Sequence, residues 1–298
     1  MSTSQRSPVD TVVYQGGAVS IGRFRCDIAH PQFRDSGPIR EAVVVFPRTS
    51  VWIRHQGARA FVADPNVVTI YNRDQCYERF PIDAAGDHCD WFSLAEPLCR
   101  ELAQRYTPAH ADARTGPFAF ERAPNTAALF SRQRALLLRA TTGTLSALEA
   151  EEEVLQIVSE VMRLAHAHAG SRSSAGRPPA GERVHRRHDL VEEARAVLAG
   201  SVQQNRSVSD IARDVGTSPF HLCRLFRQQT GQTMHAYRVG LRLRHAIDQL
   251  SLPAAARRAT LSQVASAVGF ASHAHLVRIC QRELGVTPTT LRSWLLPA

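Results

Sequence analysis

Two stretches of the chain set side chains that can touch nucleic acid at the spacing of one helix face. The first reads Pro219-Phe220-x-x-Cys223-Arg224-x-x-Arg227. The second reads His273-Ala274-His275-x-x-Arg278-x-x-x-Arg282. Residues three, four and seven apart share a face of an α-helix. An arginine on such a face can pair with guanine or with a phosphate, a histidine can donate to either, and a phenyl or methyl group can pack on a thymine methyl. Phe220, Cys223, Arg224, Arg227, His273, Ala274, His275, Arg278 and Arg282 are therefore candidate DNA contacts. Arg282 and Arg292 suit phosphates, which fix register but carry no base information.

These residues need elements to hold them, and the elements come as a repeat. Ile211-Ala212 and Gly216 match Val264-Ala265 and Gly269 at an offset of 53. Ser218, Leu222, Arg224, Gly231 and Thr233 match Ser272, Leu276, Arg278, Gly285 and Thr287 at an offset of 54, so the second copy has one more residue in its turn. Ser207-x-x-Asp210 and Thr260-x-x-Gln263 predict capping boxes, each opening a helix of about two turns. Gly216 and Gly269 fall where that helix must end in a left-handed residue. Ser218 (with Pro219 next) and Ser272 then cap a second helix, which Gly231 or Gly285 closes. Helix, glycine turn, helix is the helix-turn-helix layout, whose second helix enters the major groove. Two copies, spanning 207–231 and 260–285, favour DNA binding over a pair of ordinary helical hairpins. Between them, Thr233 to Leu250 predicts one amphipathic helix of roughly 25 Å, against about 34 Å between successive major-groove faces.

Charge points the same way. The 298 residues carry a net +9, and every cation is arginine. Residues 1–170 hold 18 Arg against 19 acids, residues 171–298 hold 18 Arg against 8. A basic domain is the electrostatic footprint of a nucleic-acid binder. Between the halves, 169–187 is rich in Gly, Ser, Pro and Arg and predicts a flexible linker. The division is then 1–168, 169–187 and 188–298.

The C-terminal ~110 residues resemble the DNA-binding domain of AraC/XylS transcription regulators. The resemblance rests on Ile211-Ala212-x-x-x-Gly216, Arg224-x-Phe226, Gly231, Tyr237-Arg238, Arg242-Leu243-x-x-Ala246, Ala265-x-x-x-Gly269-Phe270, Arg278 and Gly285-Val286-Thr287-Pro288. Met234 stands where that family often has Pro, and Leu276 and Cys280 where it often has Phe. The resemblance implies transcriptional control, more often activation, with RNA polymerase as a partner. It also implies an N-terminal domain that senses an effector or dimerises, commonly a cupin-like barrel followed by helices. It places Phe220, Cys223 and Arg224 against bases or backbone.

The N-terminal half fits that outline. Val19–Cys26, Ala42–Phe46, Val51–His55, Phe61–Ala63 and Val67–Tyr71 are short β-branched or aromatic runs broken by turn residues. Asn125–Ala140 predicts a helix, and Ser146-x-x-Glu149 opens another. Leu148, Leu155, Val158, Met162 and Ala165 form an apolar stripe on the latter. It covers either the barrel or the same helix in a second copy, and the 146–169 segment is the candidate homodimer seam. The fold class is thus α+β: a cupin-like barrel with helices, a linker and an all-α domain with two helix-turn-helix motifs. Trp52, Arg54, Tyr71 and Trp91 are candidate liners of an effector site in the barrel mouth.

Enzymatic chemistry is poorly represented. Cys26-x-x-x-His30, His55, Cys76 and His88-Cys89 are metal-ligand types, but the His-x-His with a following Glu of metal cupins is missing, as is any Cys-x-x-Cys. No metal or cofactor is expected. A cupin-type enzyme fused to a DNA-binding module is the alternative reading; a DNA-repair alkyl-transfer protein would need a zinc-bound cysteine cluster. No run reaches the ~18 apolar residues of a membrane span, and the polar N-terminus is unlike a signal peptide, so the expected location is the cytoplasm.

Overall fold

The computed structural model describes residues 9–108, 116–173, 182–252 and 259–295. The first half is built from β1 (Asp10–Gln15), β2 (Val19–Cys26), β3 (Asp35–Ser36), β4 (Val43–Pro47), β5 (Val51–His55), β6 (Phe61–Ala63), β7 (Val67–Tyr71), β8 (Tyr77–Pro81) and β9 (Asp87–Leu94). Helix α1 (Glu96–Tyr106), strand β10 (Arg122–Pro124) and helices α2 (Ala127–Thr142) and α3 (Ala147–Ser173) follow. The strands form two antiparallel sheets, ordered β1-β2-β9-β4-β7-β10 and β3-β8-β5-β6.

Strand alternation gives the larger sheet two different faces. Val19, Ile21, Val44, Phe46, Val68, Ile70, Phe92 and Leu94 point to the helices, where they pack with Val154, Ile157, Val158, Val161 and Met162 of α3. The intervening residues, among them Thr69, Tyr71, Cys89 and Trp91, face the smaller sheet across a cavity of about 670 Å³. Two antiparallel sheets facing one another around such a space make the cupin-like barrel.

The four strands from Val19, Val51, Phe61 and Val67 start and end where the sequence places them, and β4 starts one residue later. Strand β9 has no alternation of apolar and polar residues to betray it. Its polar residues are buried on both faces: Asp87 and Ser93 beside the cavity, Asp90 toward the helices. The predicted cap of α3 forms, with Glu149 N–H donating to Ser146 Oγ and Ser146 N–H to Glu149 Oε2.

The second half consists of α4 (Glu182–Gly200), α5 (Val208–Asp214), α6 (Pro219–Thr230), α7 (Met234–Leu250), α8 (Leu261–Ala267), α9 (His273–Leu284) and α10 (Pro288–Leu295). Two cores flank α7. One joins Leu190, Ala194 and Leu198 of α4 to Ile211, Leu222, Phe226, Tyr237 and Leu241. The other joins Val239, Leu243 and Ile247 of α7 to Val264, Leu276, Cys280 and Leu291. Met234, Leu276 and Cys280, the departures from the resembled pattern, are all buried, so they alter packing and leave the helices intact.

The structure adds detail to three expectations. The stripe on α3 is used inside its own chain: Val158, Met162 and Ala165 are buried against the barrel sheet and α2. Only exposed Leu148 and half-buried Leu155 remain, so the 146–169 seam for a second copy is largely occupied. The 169–187 linker is also shorter than expected. Helix α3 runs to Ser173 and α4 starts at Glu182, because Ala, His, Glu and Arg near its ends are compatible with helix; residues 174–181 lie outside the described residues. Finally, the 1–168 boundary does not separate two cores. Helix α2 is apolar on both sides. Leu129, Leu136, Leu137 and Ala140 join the barrel core, while Ala127, Phe130 and Leu138 complete the core of the second helix-turn-helix.

Candidate nucleic-acid interface

The two helices that carry the candidate contacts, α6 and α9, are set by local chemistry. Ser207 and Thr260 make true capping boxes with Asp210 and Gln263. Gly216 and Gly269 lie in the left-handed region, at φ 69° and 90°. At Gly269 a Cβ would also meet Gln203 Cα and Arg242 Nε at 2.9 Å, so the turn requires glycine twice over. Ser218 and Ser272 then accept from the N–H groups of His221 and His275 to cap α6 and α9.

The buried faces of α6 and α9 leave the predicted reading faces open. Phe220 is 83% exposed, an unusual state for a large aromatic. Cys223, Arg224 and Arg227 are exposed beside it. Arg224 lies 3.3 Å from the Nδ1 of His221, a neighbour that the sequence reading passed over although it is three residues away. On α9, His273, Ala274 and Arg278 are exposed, while His275 is half-buried edge-on to Phe270, with ring centroids 5.2 Å apart. Burial pushes the His275 imidazole down, helped by Arg278. Arg282 is engaged with Glu283 at 2.8 Å, so its head group is partly neutralised before any phosphate arrives.

Not every arginine of the repeat faces outward. Arg242 donates to the carbonyls of Val202 and Gln204 and to Asn205 Oδ1. Arg238 donates to the carbonyl of Arg206 at 2.9 Å. These two hold the turn before α5 against α7.

The barrel docks on α4 and α7 through buried charge. Arg195 of α4 donates to Tyr237 Oη (2.7 Å), Glu192 Oε2 (2.8 Å) and the Val62 carbonyl (2.7 Å). Tyr237 Oη donates to Asp64 Oδ2 at 2.5 Å, and Arg122 of β10 donates to Glu192 Oε1 at 2.8 Å. Two arginines and two carboxylates balance. Burial would raise the Glu192 carboxyl, but Arg122 and Arg195 hold it down at about 2. A second cluster joins Arg134 of α2 to Asp90 Oδ2 (2.7 Å) and Ser251 Oγ (2.9 Å), beside Arg48 and Asp248.

The barrel cavity collects some of the predicted liners. Tyr71 and Trp91 line it, but Trp52 and Arg54 do not. They occupy the opposite face of β5 from the cavity-lining Val51 and Ile53, and Arg54 instead donates to Glu78 at 2.6 Å. Which face of a strand is buried depends on its partner sheet, which alternation alone does not reveal. Trp91 lies over Gly22 of the neighbouring strand, where a Cβ would come within 2.1 Å of the ring. Of the metal-ligand types, His55 is buried among Phe61, Tyr71 and Tyr77. Among the described residues no three His, Cys, Asp or Glu side chains converge as metal ligands.

The helix-turn-helix domain family matches residues 189–293, a span that begins within α4 and ends within α10. Residues 189–293 are an AraC-type helix-turn-helix domain. The chain is a DNA-binding transcription regulator. Among solved structures, a transcriptional regulator with an AraC-type DNA-binding domain from Chromobacterium violaceum is 28% identical, covering 37% of this chain and 96% of its own, with a TM-score of 0.33. The DNA-binding domain of AdpA, solved with target DNA, is 25% identical over 35% of this chain and 89% of its own, at 0.31. ToxT from Vibrio cholerae, bound to an unsaturated fatty acid, covers 96% of this chain and 98% of its own at 9% identity and 0.36. No curated protein matches the chain. Among the described residues no helix is long and apolar enough to cross a membrane.

Proposed function

We propose that the chain binds promoter DNA with both units of its AraC-type domain, α6 and α9 entering successive major-groove segments, and that a small effector in the barrel tunes this binding. The observation that carries the reading is the pairing of two open reading faces on one packed body. Phe220, Arg224 and Arg227 on α6, and His273, Ala274 and Arg278 on α9, all stay exposed while both helices bury their apolar sides against elements around α7. Helix α7 is 17 residues long, so it spans about 25 Å and suits reading helices offset by one DNA turn. The family resemblance supports activation through RNA polymerase, in the cytoplasm where promoters are. Any dimer must use a surface other than the α3 stripe.

The test is genome-wide mapping followed by footprinting at physiological salt. The wild-type footprint should show two protected segments about 10 base pairs apart. Arg224→Ala should remove one, Arg278→Ala the other. Loss of the same segment in both variants, of neither segment in either, or no enriched sites at all, would remove the two-groove reading.

A further inference from the structure

The cavity between the two sheets of the barrel has a lopsided chemistry. Its only buried cation, Arg79, has its donors engaged: Nε to the Phe33 carbonyl (2.9 Å), Nη1 to Asp87 Oδ2 (2.7 Å), and Nη2 to the Gln32 carbonyl (3.0 Å) and Ser36 Oγ (2.6 Å). The Trp91 indole N–H is taken by Asp10 Oδ1 at 2.7 Å, and the Ser93 hydroxyl by Glu41 Oε2 at 2.9 Å. A bound carboxylate would find few free donors.

Acceptors are plentiful by contrast. Each carboxylate offers about four lone-pair sites, and Asp10 and Glu41 each accept from one side chain here. Asp10, Asp35 and Glu41 line the space with two arginines, Arg79, which is paired with Asp87, and the exposed Arg40. Asp10 and Glu41 stay exposed, and partial burial pushes the Asp10 carboxyl up, offset in part by its hydrogen bonds from Trp91 and Thr11 and by Arg40. The walls add aromatic faces. The Tyr71 and Tyr77 rings lie 4.8 Å apart, and the Arg79 guanidinium already sits 4.5 Å from the Phe24 centroid. Such walls attract cations.

Resting on the effector reading above, we propose that the barrel cavity binds a small organic cation, its ammonium or guanidinium head at Asp10 and Glu41 and its apolar or aromatic body against the cavity wall formed by Tyr71, Tyr77 and Trp91. At about 670 Å³ the space lies in the range of small-molecule sites.

Three probes of one shape separate the classes on the full chain: 2-phenylethylammonium, 3-phenylpropionate and 2-phenylethanol. Tryptophan fluorescence and Tm are followed in parallel. The ammonium should bind about tenfold or more tightly than the other two. Glu41→Gln keeps the acceptor for Ser93 and should weaken the ammonium about fivefold, whereas Arg40→Gln should tighten it. Equal or tighter binding of the carboxylate or the alcohol overturns the cation class but leaves a ligand-binding barrel. Ammonium binding unchanged in Glu41→Gln, or no response to any probe, also overturns it. The effector reading fails separately, if a cavity-filling Cys89→Phe variant that still folds leaves the promoter footprint unaltered.

Discussion

Arg48 and Asp248 stand 200 positions apart and close a two-pronged ion pair between the barrel and α7, Nε to Oδ1 and Nη2 to Oδ2 each at 2.9 Å. Arg134 of α2 reaches the same carboxylate at 3.4 Å and Asp90 of β9 at 2.7 Å. Asp90 and Cys89 are neighbours on β9, one facing this cluster and the other the cavity. A wall of the cavity is therefore tied to α7, the helix that joins the two helix-turn-helix units.

Asp248→Asn should lower stability by about 1–3 kcal/mol, since it leaves two largely buried guanidinium groups undercompensated. Arg48 and Arg134 hold the Asp248 carboxyl below the usual range against the effect of burial. Its contribution is thus present above the unfolded value near 4 and is lost as pH falls through the folded value. Urea unfolding at pH 7 and below pH 4 should show the gap between wild type and variant closing in acid.

Phe130→Ala removes a fully buried ring from the seam between α2 and the second helix-turn-helix. The cost should be about 3–5 kcal/mol. Hydrogen exchange locates it: protection should fall in α9 and α10, although the substitution lies in the N-terminal half. Loss confined to the barrel would contradict the shared core.

Burial pushes the His55 imidazole down to about 4. Unfolding releases it to an ordinary value near 6.5, so the unfolded chain binds more protons between those limits. Stability should fall as pH drops from about 6.5 toward 4. His55→Gln should flatten that part of the curve, measured by Tm in buffers across the window.

Arg224→Ala and Arg242→Ala should part company. Arg224 is exposed and should cost about 1–3 kcal/mol of specific DNA binding, with stability changed by no more than about 0.5 kcal/mol. Arg242 anchors Val202, Gln204 and Asn205, and its loss should lower Tm before any effect on DNA is read. Unfolding curves and binding isotherms on the same preparations check both.

Much of the DNA-binding half was legible because its signals are local. Ser207 with Asp210, Thr260 with Gln263, and the glycines at 216, 231, 269 and 285 act within a few residues of the turns they make. Those constraints give helix boundaries, and helix boundaries give the reading faces. The barrel was half legible: β5 and β7 announce themselves by β-branched runs, whereas β9 buries Asp87, Asp90 and Ser93 and reads as polar.

By itself the sequence determined two helix-turn-helix units, their exposed arginines and a strand-rich first half, since capping, glycine turns and helical spacing operate over short separations. Only the tertiary structure decided that α2 serves two cores and that α3 covers its own barrel. It also placed Tyr71 and Trp91 on the cavity wall and Trp52 and Arg54 behind it. Those outcomes depend on which surface each apolar or charged face meets. Asp64 and Tyr237, 173 residues apart, become partners because folding brings both out of water at one place.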